Sequence, residues 1–293
     1  MSKAILVDMT KCIGCGACAA ACKVVNGLAL DDLGAGKQPS ADSLSEDELA
    51  AFAQSHGEVG GVLSAHALNV VEIHGSVFVR RLCMHCQDPT CASVCPVGAL
   101  RKTAAGPVVY DADRCMGCRY CMMACPFGIP RYEWNVLFPK VAKCTMCAPR
   151  QAKGLPPACV AACPVQASIF GERDELLLEA EKRVSENPSG YVPRIYGKQE
   201  VGGTSVFYLS AVPFETLGFP ANVPPDALPM YTYRVLSKIP NIVTAGAFLL
   251  GGIWWITNRR EAVARAEKDR DQGLGTRTGS KRTKDEGHGT NDD

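Results

Sequence analysis

Cysteine is the residue type with the most chemistry to offer in this sequence, because its thiolate can bind metals, attack electrophiles or form disulfides. The chain contains 16 cysteines among 293 residues. They fall into four groups of four: group one (Cys12, Cys15, Cys18, Cys22), group two (Cys83, Cys86, Cys91, Cys95), group three (Cys115, Cys118, Cys121, Cys125) and group four (Cys144, Cys147, Cys159, Cys163). This grouping indicates four copies of one ligand-binding unit, separated by insertions of different length.

The spacing within the groups indicates which ligand they bind. Groups one and three read C-x2-C-x2-C-x3-C, and groups two and four widen the middle gap. This spacing is typical of bacterial [4Fe–4S] sites, in which three thiolates surround one cluster and the fourth ligates its neighbour. Proline follows the fourth cysteine in three groups, whereas Lys23 follows it in group one. Zinc sites use two C-x2-C pairs rather than a triplet with a trailing cysteine, so the pattern favours iron–sulfur clusters over zinc and over disulfides.

Composition excludes several classes of protein. Lysine and arginine number 31 against 30 aspartates and glutamates, so a net charge of +1 offers no basic surface of the kind that binds nucleic acid. With 47% hydrophobic residues the chain can bury a core, unlike small secreted disulfide scaffolds. Residues Met1–Met9 contain neither a twin-arginine pair nor a long apolar stretch, so we expect no signal peptide of its own.

Short regular elements are predicted around the cysteine groups. Apolar stretches at 4–7 and 107–110 precede groups one and three, which predicts a strand leading into each cysteine loop. Residues 173–187 have the pattern of an amphipathic helix, and residues 205–209 that of a strand. The expected repeat unit is therefore a strand, a ligand loop, a short helical turn and a second strand.

The insertion between groups one and two, residues 27–80, predicts structure of its own. Ser45 and Glu48 form a capping-box pattern, which predicts the start of a polar helix. Apolar residues then alternate on both sides of 74–76, as in a β-hairpin. The sequence assigns no role to the polar part of the insertion, residues 31–60.

The C-terminal part predicts one membrane-spanning helix at 235–257. Residues 242–256 carry no charge, and Trp254 and Trp255 suit an interfacial anchor. A buried core helix is the alternative. Positive charge is concentrated after the span, at Arg259, Arg260, Arg265, Lys268 and Arg270, whereas only Arg234 and Lys238 precede the uncharged stretch 242–256. The positive-inside rule then places the C-terminus in the cytoplasm and the cysteine-rich region on the periplasmic side of the inner membrane.

Two motifs resemble the four-cluster iron–sulfur subunits of respiratory molybdopterin and hydrogenase complexes. They are CMHCQDPTC at 83–91 and CMGCRYC at 115–121, the latter followed by Cys125-Pro126-Phe127. Weaker similarity at 154–156, 169–171 and 201–204 extends the resemblance over nearly all of residues 5–257. Within the family the chain is similar in particular to the iron–sulfur subunit of hydrogenase-2 and the β subunit of formate dehydrogenase-N.

The resemblance implies an α+β fold of two pseudo-symmetric bacterial ferredoxin-like halves, each with two [4Fe–4S] clusters, plus one C-terminal transmembrane helix. Each of the four clusters then takes three cysteines from one group and one from its partner group. The implied ligands are set 1 (Cys12, Cys15, Cys18 with Cys163), set 2 (Cys144, Cys147, Cys159 with Cys22), set 3 (Cys83, Cys86, Cys91 with Cys125) and set 4 (Cys115, Cys118, Cys121 with Cys95).

The expected division of the chain follows from the same resemblance and from the patterns above. The predicted segments are 1–26 with 140–189 for the half carrying groups one and four, 81–139 for the half carrying groups two and three, 27–80 for the insertion, 190–234 for an extended arm over a partner, 235–257 for the membrane helix and 258–293 for a charged, disordered tail.

The function implied by the resemblance is electron transfer. The expected partners are a catalytic oxidoreductase subunit, [NiFe] hydrogenase first, and an integral membrane subunit that reacts with quinone and has haem b as a candidate cofactor. The alternative is the β subunit of a membrane-bound formate dehydrogenase or another molybdopterin oxidoreductase. Export would occur attached to the catalytic partner. The half with groups one and four is expected to face the catalytic subunit.

The sequence contains no catalytic motif. It has no G-x-S-x-G, no H-E-x-x-H, no P-loop and no G-x-G-x-x-G after a strand. The predicted membrane helix has no histidine that could ligate a haem. A stand-alone redox enzyme acting at a cluster needs an open iron position, whereas every cysteine group is complete. We therefore expect a chain without a catalytic site of its own.

A few other residues are candidates for tuning the clusters. His85, between two cysteines, is expected either to hydrogen-bond a cluster or to face solvent. Five cations near the cysteine groups are candidates for raising the reduction potential, with a solvated surface position as the default interpretation. They are Lys11, Lys23, Arg114, Arg119 and Lys143.

Overall fold

The structure is a computed structural model that describes residues 2–33, 37–134, 136–137 and 139–278. The chain divides into two compact units, Met1–Thr232 and Tyr233–Asp293. All four cysteine groups belong to the first unit.

The strands of the first unit are short and form one small sheet and three hairpins. They are β1 (Lys3–Asp8), β2 (Val70–His74), β3 (Val77–Arg81), β4 (Leu100–Lys102), β5 (Val108–Tyr110), β6 (Arg131–Tyr132), β7 (Val141–Ala142), β8 (Ser168–Glu172) and β9 (Val206–Leu209). The sheet has the order β8-β1-β9, with β1 antiparallel to β8 and parallel to β9. The antiparallel pairs β2–β3, β4–β5 and β6–β7 are separate hairpins.

The helices of the first unit are mostly short. They are α1 (Ala17–Val25), α2 (Glu46–Ser55), α3 (Thr90–Ser93), α4 (Tyr120–Ala124), α5 (Ala148–Ala152), α6 (Ala158–Ala161) and α7 (Arg173–Glu186). Single 3-10 turns occur at Ala41–Ser43, Glu200–Gly202 and Phe214–Leu217. Two further helices follow, α8 (Leu228–Leu236) and α9 (Ile239–Thr278).

The three-stranded sheet is buried on both faces. Successive residues of a strand point to opposite faces, so β1 contributes to two separate apolar clusters. Ala4 and Leu6 pack with Leu176 of α7 on one face. Ile5 and Val7 belong to the cluster that contains Cys22 and other cysteines. The sheet therefore forms a wall between α7 and the cysteine-rich interior.

The helices that carry the cysteines pack in two pairs. Helix α1 of group one packs against α6 of group four, and α3 of group two packs against α4 of group three. Helix α1 also contacts α2 of the insertion. Groups distant in sequence are thus neighbours in space.

The insertion forms the predicted helix and hairpin. The Ser45 hydroxyl accepts a hydrogen bond from the Glu48 amide at 3.3 Å, and the Glu48 carboxylate accepts one from the Ser45 amide at 2.8 Å, which completes a capping box at the start of α2. Helix α2 buries Leu49 and Ala53 in the apolar cluster that contains α1. In the hairpin, Val71 lies opposite Arg80 across β2 and β3. The insertion is therefore part of the packed interior.

Residues 190–229 differ from the extended arm that the sequence predicts. Strand β9 completes the chain's own sheet, and the rings of Tyr196, Tyr208, Phe214 and Phe219 pack against one another with centroids 4.7–5.5 Å apart. Edge-to-face aromatic packing and the large apolar area of these rings explain why the segment packs against the chain's own core.

The charged tail also differs from its prediction over part of its length. Helix α9 continues through Thr278, whereas the sequence predicts disorder from residue 258. Residues 259–272 are rich in Ala, Arg, Glu and Lys, which are good helix formers, and Glu261 pairs with Arg265 one turn later at 3.2 Å. The rest of the predicted tail, 279–293, lies outside the described residues.

The segment Leu228–Gln272 contains the one candidate membrane span among the described residues. Its most apolar stretch has a mean hydropathy of 1.5 and no residue of that stretch is buried. By length and composition this segment can cross a membrane.

Candidate metal centres

The four C-x-x-C loops share one unusual backbone conformation. The residue before the second cysteine is left-handed in every loop, with φ of +69° at Gly14, +49° at His85, +73° at Gly117 and +53° at Met146. A left-handed residue within such a turn directs successive backbone N–H groups toward one side, and concavities of this kind bind anions and Fe–S clusters. The same local fold therefore recurs four times, although its sequences differ.

Two of these left-handed positions require glycine for a second reason. A Cβ on Gly14 would lie 2.4 Å from the ring of Phe78, and one on Gly117 would lie 3.1 Å from the Tyr132 hydroxyl. His85 and Met146 adopt the left-handed conformation with a side chain, which strains the backbone. Sequence alone does not reveal the repeat at these two positions because glycine, its usual signature, is missing.

Helix α1 shows how one short element can serve two sites. Cys18 and Cys22 lie four residues apart within it, so both thiols project from the same face, one turn apart. Cys18 has Cys12 and Cys159 as electrostatic neighbours, whereas Cys22 has Cys144 and Cys159. Helix α1 therefore contributes Cys18 to one cluster of thiols and Cys22 to the next.

Set 1 lines a single cavity. Its four cysteines, Cys12, Cys15, Cys18 and Cys163, line one small cavity of about 30 Å³. The rest of the wall is largely apolar and includes Val7, Val71 and Phe78. This cavity brings three cysteines of group one together with the last cysteine of group four.

Set 2 is the most deeply buried. Burial raises the pKa of Cys22 well above its usual value, and repulsion from Cys144, Cys159 and Cys147 adds to the effect. Cys22, Cys144 and Cys159 are buried in the apolar interior. The last cysteine of group one therefore lies among the first three of group four.

Set 3 likewise combines three cysteines of one group with the last cysteine of another, here groups two and three. Burial raises the pKa of Cys86 well above its usual value, followed by repulsion from Cys83, Cys125 and Cys91. The last cysteine of group three thus joins three thiols of group two.

Set 4 lies closest to solvent. Burial raises the pKa of Cys121 to about 11, and repulsion from Cys115, Cys118 and Cys95 contributes. Cys118 is exposed, and exposed apolar side chains surround the loop, including Met116, which is 65% exposed. The other three sets contain buried or half-buried cysteines, whereas set 4 includes an exposed one.

Thiols of different sets also interact electrostatically with one another. Burial is the largest cause of the raised pKa of one thiol in each pair of neighbouring sets, and electrostatic repulsion from a thiol of the other set adds to it. The pairs are Cys18 with Cys159 for sets 1 and 2, Cys144 with Cys83 for sets 2 and 3, and Cys91 with Cys121 for sets 3 and 4. Electrostatic neighbours therefore link set 1 to set 2, set 2 to set 3 and set 3 to set 4.

Three cations lie close to the cysteine sets. Arg80 donates to the Cys159 thiol at 2.6 Å, and the Lys143 ammonium donates to the backbone carbonyls of Cys144 and Val108. Lys102 donates to the carbonyl of Cys86 at 2.8 Å. No ion pair to a carboxylate joins these three cations within the described ranges. A buried cation is stable only beside negative charge. Four thiolates around each cluster would supply that charge.

His85 is buried and does not face solvent, which removes one of its two predicted roles. Its Nδ1 accepts the Val108 N–H at 2.9 Å, so the proton of the neutral ring lies on Nε2. Burial lowers the pKa of His85 well below its usual value, with Lys143 and Lys102 adding to the effect. The Nε2 atom has no hydrogen-bond partner among the described residues. This unpartnered Nε2–H group next to Cys86 could donate a hydrogen bond to a cluster bound by the Cys83–Cys86 loop.

The cations expected from sequence lie in different environments. Lys143 is buried, and Lys23 is buried in ion pairs with Asp31 and Glu58 at 2.7 and 2.6 Å. Arg119 stacks over the ring of Trp134 at 5.2 Å. Arg114 pairs with Asp111, and Lys11 is exposed.

Two cations beside the cysteine sets are absent from the sequence prediction, the buried Arg80 and the half-buried Lys102. The signal for Arg80 is its neighbour Arg81: two adjacent arginines in a strand must point to opposite faces, so one of them must enter the interior. Lys102 ends β4 and gives no such signal. Burial lowers its pKa to about 8.

The donor set fits four iron–sulfur clusters. The thiols are gathered in fours, and the backbone of each C-x-x-C loop has a conformation that binds anions. Among the described residues, the three cations close to the sets have no carboxylate partner, and His85 has an N–H group without an acceptor. Within the described part of the chain, no three His, Cys, Asp or Glu side chains are arranged to hold a single metal ion.

Comparison with known families gives the same chemistry. Residues 11–99 match one family described as a 4Fe-4S dicluster domain, and residues 75–173 match a second family with the same description. The 16 cysteines and two dicluster domains fit four [4Fe–4S] clusters. Zinc and disulfides are thereby excluded as the main use of the cysteines.

Curated relatives cover most of the chain. A Nitratidesulfovibrio vulgaris protein whose name states no function is 38% identical over 91% of this chain and 70% of its own length. The hydrogenase-2 operon protein HybA of Escherichia coli O157:H7 is 37% identical over 75% of this chain and 73% of its own. The iron–sulfur subunit of the nitrate-inducible formate dehydrogenase of Escherichia coli K12 is 37% identical over 70% and 66%, respectively.

Proposed function

Because this chain belongs to the family of iron–sulfur subunits that hydrogenase-2 and formate dehydrogenases contain, we propose that it relays electrons between a catalytic subunit and a membrane subunit that reacts with quinone. The observation that carries the proposal is the series of electrostatic neighbours that links the four cysteine sets. When bound, the clusters supply reversible one-electron chemistry. The chain itself contributes their spacing, their burial and the charges around them.

We assign the ligands of each cluster to the four sets as the resemblance implies. The cavity of set 1 and the thiol neighbours of sets 2, 3 and 4 support this assignment. Under it, the fourth cysteine of each group serves the cluster of its partner group. The packing of α1 on α6 and of α3 on α4 supports the division into two ferredoxin-like halves.

The ends of the relay are proposed from exposure and from the family. Set 4 has the exposed Cys118 and, close by in the sequence, exposed apolar residues such as Tyr120, Met123 and Trp134. A surface of this kind suits a protein partner. We assign the membrane subunit to set 4 and the catalytic subunit to set 1. Haem b in the membrane subunit is part of the same proposal.

For the catalytic subunit we propose a [NiFe] hydrogenase. The hydrogenase-2 operon relative aligns with 75% of this chain, against 70% for the formate dehydrogenase subunit, at the same identity. Formate dehydrogenase is the second candidate, because its iron–sulfur subunit is as identical to this chain as the hydrogenase-2 relative is.

Purification of the intact complex from its own membranes tests the proposal. We expect a nickel–iron large subunit to co-purify, and hydrogen to reduce the clusters of this chain. Iron and acid-labile sulfide in this chain should each approach about sixteen atoms. A molybdopterin subunit with reduction by formate would select the second candidate. Purification without any oxidoreductase subunit, or with far less iron, would contradict the relay.

Helix α9 is proposed to anchor the chain with its C-terminus in the cytoplasm. The candidate span lies within Leu228–Gln272, and basic residues outnumber acidic ones directly after Ile256. Positive flanks stay on the cytoplasmic side. The cysteine-rich unit would then lie on the periplasmic side.

A reporter fused to the C-terminus should show this orientation. An enzyme that is active only in the periplasm, such as alkaline phosphatase, should remain silent, whereas a fluorescent protein that matures in the cytoplasm should be bright. Replacing Arg259 and Arg260 by glutamine should weaken the preference, because the orienting charge adjoins the span. A strong phosphatase signal from the unaltered sequence would reverse the topology.

A further inference from the structure

Arg80 is a cation held in the interior by polar groups from three parts of the chain. Its side chain donates from Nε to Asn69 Oδ1 at 3.0 Å, from Nη1 to Ser168 Oγ at 2.7 Å and from Nη2 to Cys159 Sγ at 2.6 Å. The residue is 2% exposed. In the described ranges no carboxylate lies within ion-pair distance of it. The thiols of Cys159 and Cys18 are its strongest electrostatic partners and can supply the anionic counter-charge.

Those thiols belong to two different sets. Cys159 belongs to set 2 and Cys18 to set 1, and both interact electrostatically with Arg80 more strongly than its other neighbours do. Asn69 links the same two places, because its amide also donates to the Cys18 carbonyl at 2.7 Å. The guanidinium therefore lies at the boundary between the first two cluster sites.

The fork of arginine suits this position better than a lysine would. A planar guanidinium can donate in three directions at once without moving, whereas an ammonium is a point charge on a flexible stem. Asn69, Ser168 and Cys159 each receive one of its N–H groups. Arg80 is thus fixed in orientation as well as in place.

The hairpin of the insertion delivers this residue, and its neighbour serves as an internal comparison. Arg81 follows Arg80 on β3 and points to the opposite face. It pairs with Glu72 at 3.0 Å and stacks over Phe219 at 3.9 Å, with no cysteine contact among its described partners. The two arginines have the same charge and strand but different surroundings.

We propose that Arg80 is a positioning residue that sets the reduction potentials of the clusters in sets 1 and 2. This inference rests on the proposed function. Reduction adds negative charge to a cluster, and a fixed positive charge in a site of low dielectric stabilises the reduced form. Arg80 therefore raises both potentials, and more at set 2, whose Cys159 it contacts directly. Sets 3 and 4, beyond the next boundary, feel it little.

Redox titrations of the purified complex, followed by EPR, test the proposal. Arg80→Gln should reduce the equilibrium constant for reduction at set 2 by at least about tenfold, which is about 59 mV for a one-electron couple. Set 1 should shift less in the same direction, and sets 3 and 4 should stay within error. Arg80→Lys should recover most of the set 2 potential, because it retains the charge.

Arg81→Gln is the matched control, and it should leave all four potentials unchanged even if it lowers the melting temperature. Equal shifts at all four sets, or no shift at sets 1 and 2, would overturn the role of Arg80. If Arg80→Gln does not assemble, Arg80→Lys decides: a tenfold loss at set 2 despite the retained charge overturns the proposal, and a potential close to that of the unaltered protein supports it. Missing clusters in the unaltered complex would instead contradict the proposed function.

Discussion

Removing iron and sulfide should unfold most of the cysteine-rich unit. Between Cys83 and Cys163 no described helix or strand is longer than five residues, and helices this short are not stable alone. Arg80 and Lys143 are buried without carboxylate partners, and an uncompensated buried charge costs about 3–5 kcal/mol. Two such charges approach the whole stability of a typical domain, about 5–15 kcal/mol. Cluster binding is therefore part of the folding free energy.

Circular dichroism and limited proteolysis of the chelated protein should show this loss. We expect the cooperative thermal transition to disappear and protease cleavage to concentrate at residues 83–163. Adding back iron and sulfide under reducing conditions should restore both signals, whereas zinc should not. A chelated chain that melts cooperatively within a few degrees of the loaded protein would show that the fold does not depend on the clusters.

Cys22→Ser should damage a cluster of the other cysteine group. Cys22 lies among Cys144, Cys147 and Cys159, so the variant should lose the signal of set 2 and about four iron atoms. The signal of set 1 should remain, although Cys22 belongs to group one in sequence. The effect is large because a missing thiolate at a buried site leaves one iron without its ligand.

Reference variants show which cluster each substitution affects, even when the EPR signals have not been assigned to individual clusters. The EPR spectrum of Cys22→Ser should match that of Cys147→Ser, and Cys163→Ser should match Cys15→Ser. The opposite matching, with each fourth cysteine acting on its own group, would contradict the assignment of ligands to sets. A uniform loss of all four signals in every variant would show that the clusters assemble together, and a redox-state measurement on the partly loaded protein would then be needed to resolve the sets.

The sequence predicts the chemistry of the site well because the chemistry depends on local spacing. The C-x-x-C intervals predict iron–sulfur chemistry, and the capping box at Ser45 and Glu48 identifies the start of α2. Such signals act over a few residues, and their meaning does not depend on the rest of the fold.

Features that depend on distant contacts are less predictable. The segment at 190–229 resembles an extended arm because it is rich in Gly and Pro, yet Tyr196 and Phe219 find apolar partners only after the chain folds back. The role of Arg80 cannot be predicted from its sequence position, because it depends on the hairpin packing beside Cys18 and Cys159. His85 could face solvent or the interior until the neighbouring β5 buries it.

The central claim is that four cluster sites conduct in series, and interrupting the third site tests it most directly. Replacing Cys86 and Cys91 by alanine should remove the cluster of set 3, which iron analysis can confirm as a loss of about four atoms. In the intact complex, addition of the catalytic subunit's substrate should then reduce sets 1 and 2 while set 4 stays oxidised on the timescale that fully reduces the unaltered complex. Reduction of set 4 together with sets 1 and 2 would contradict the serial relay.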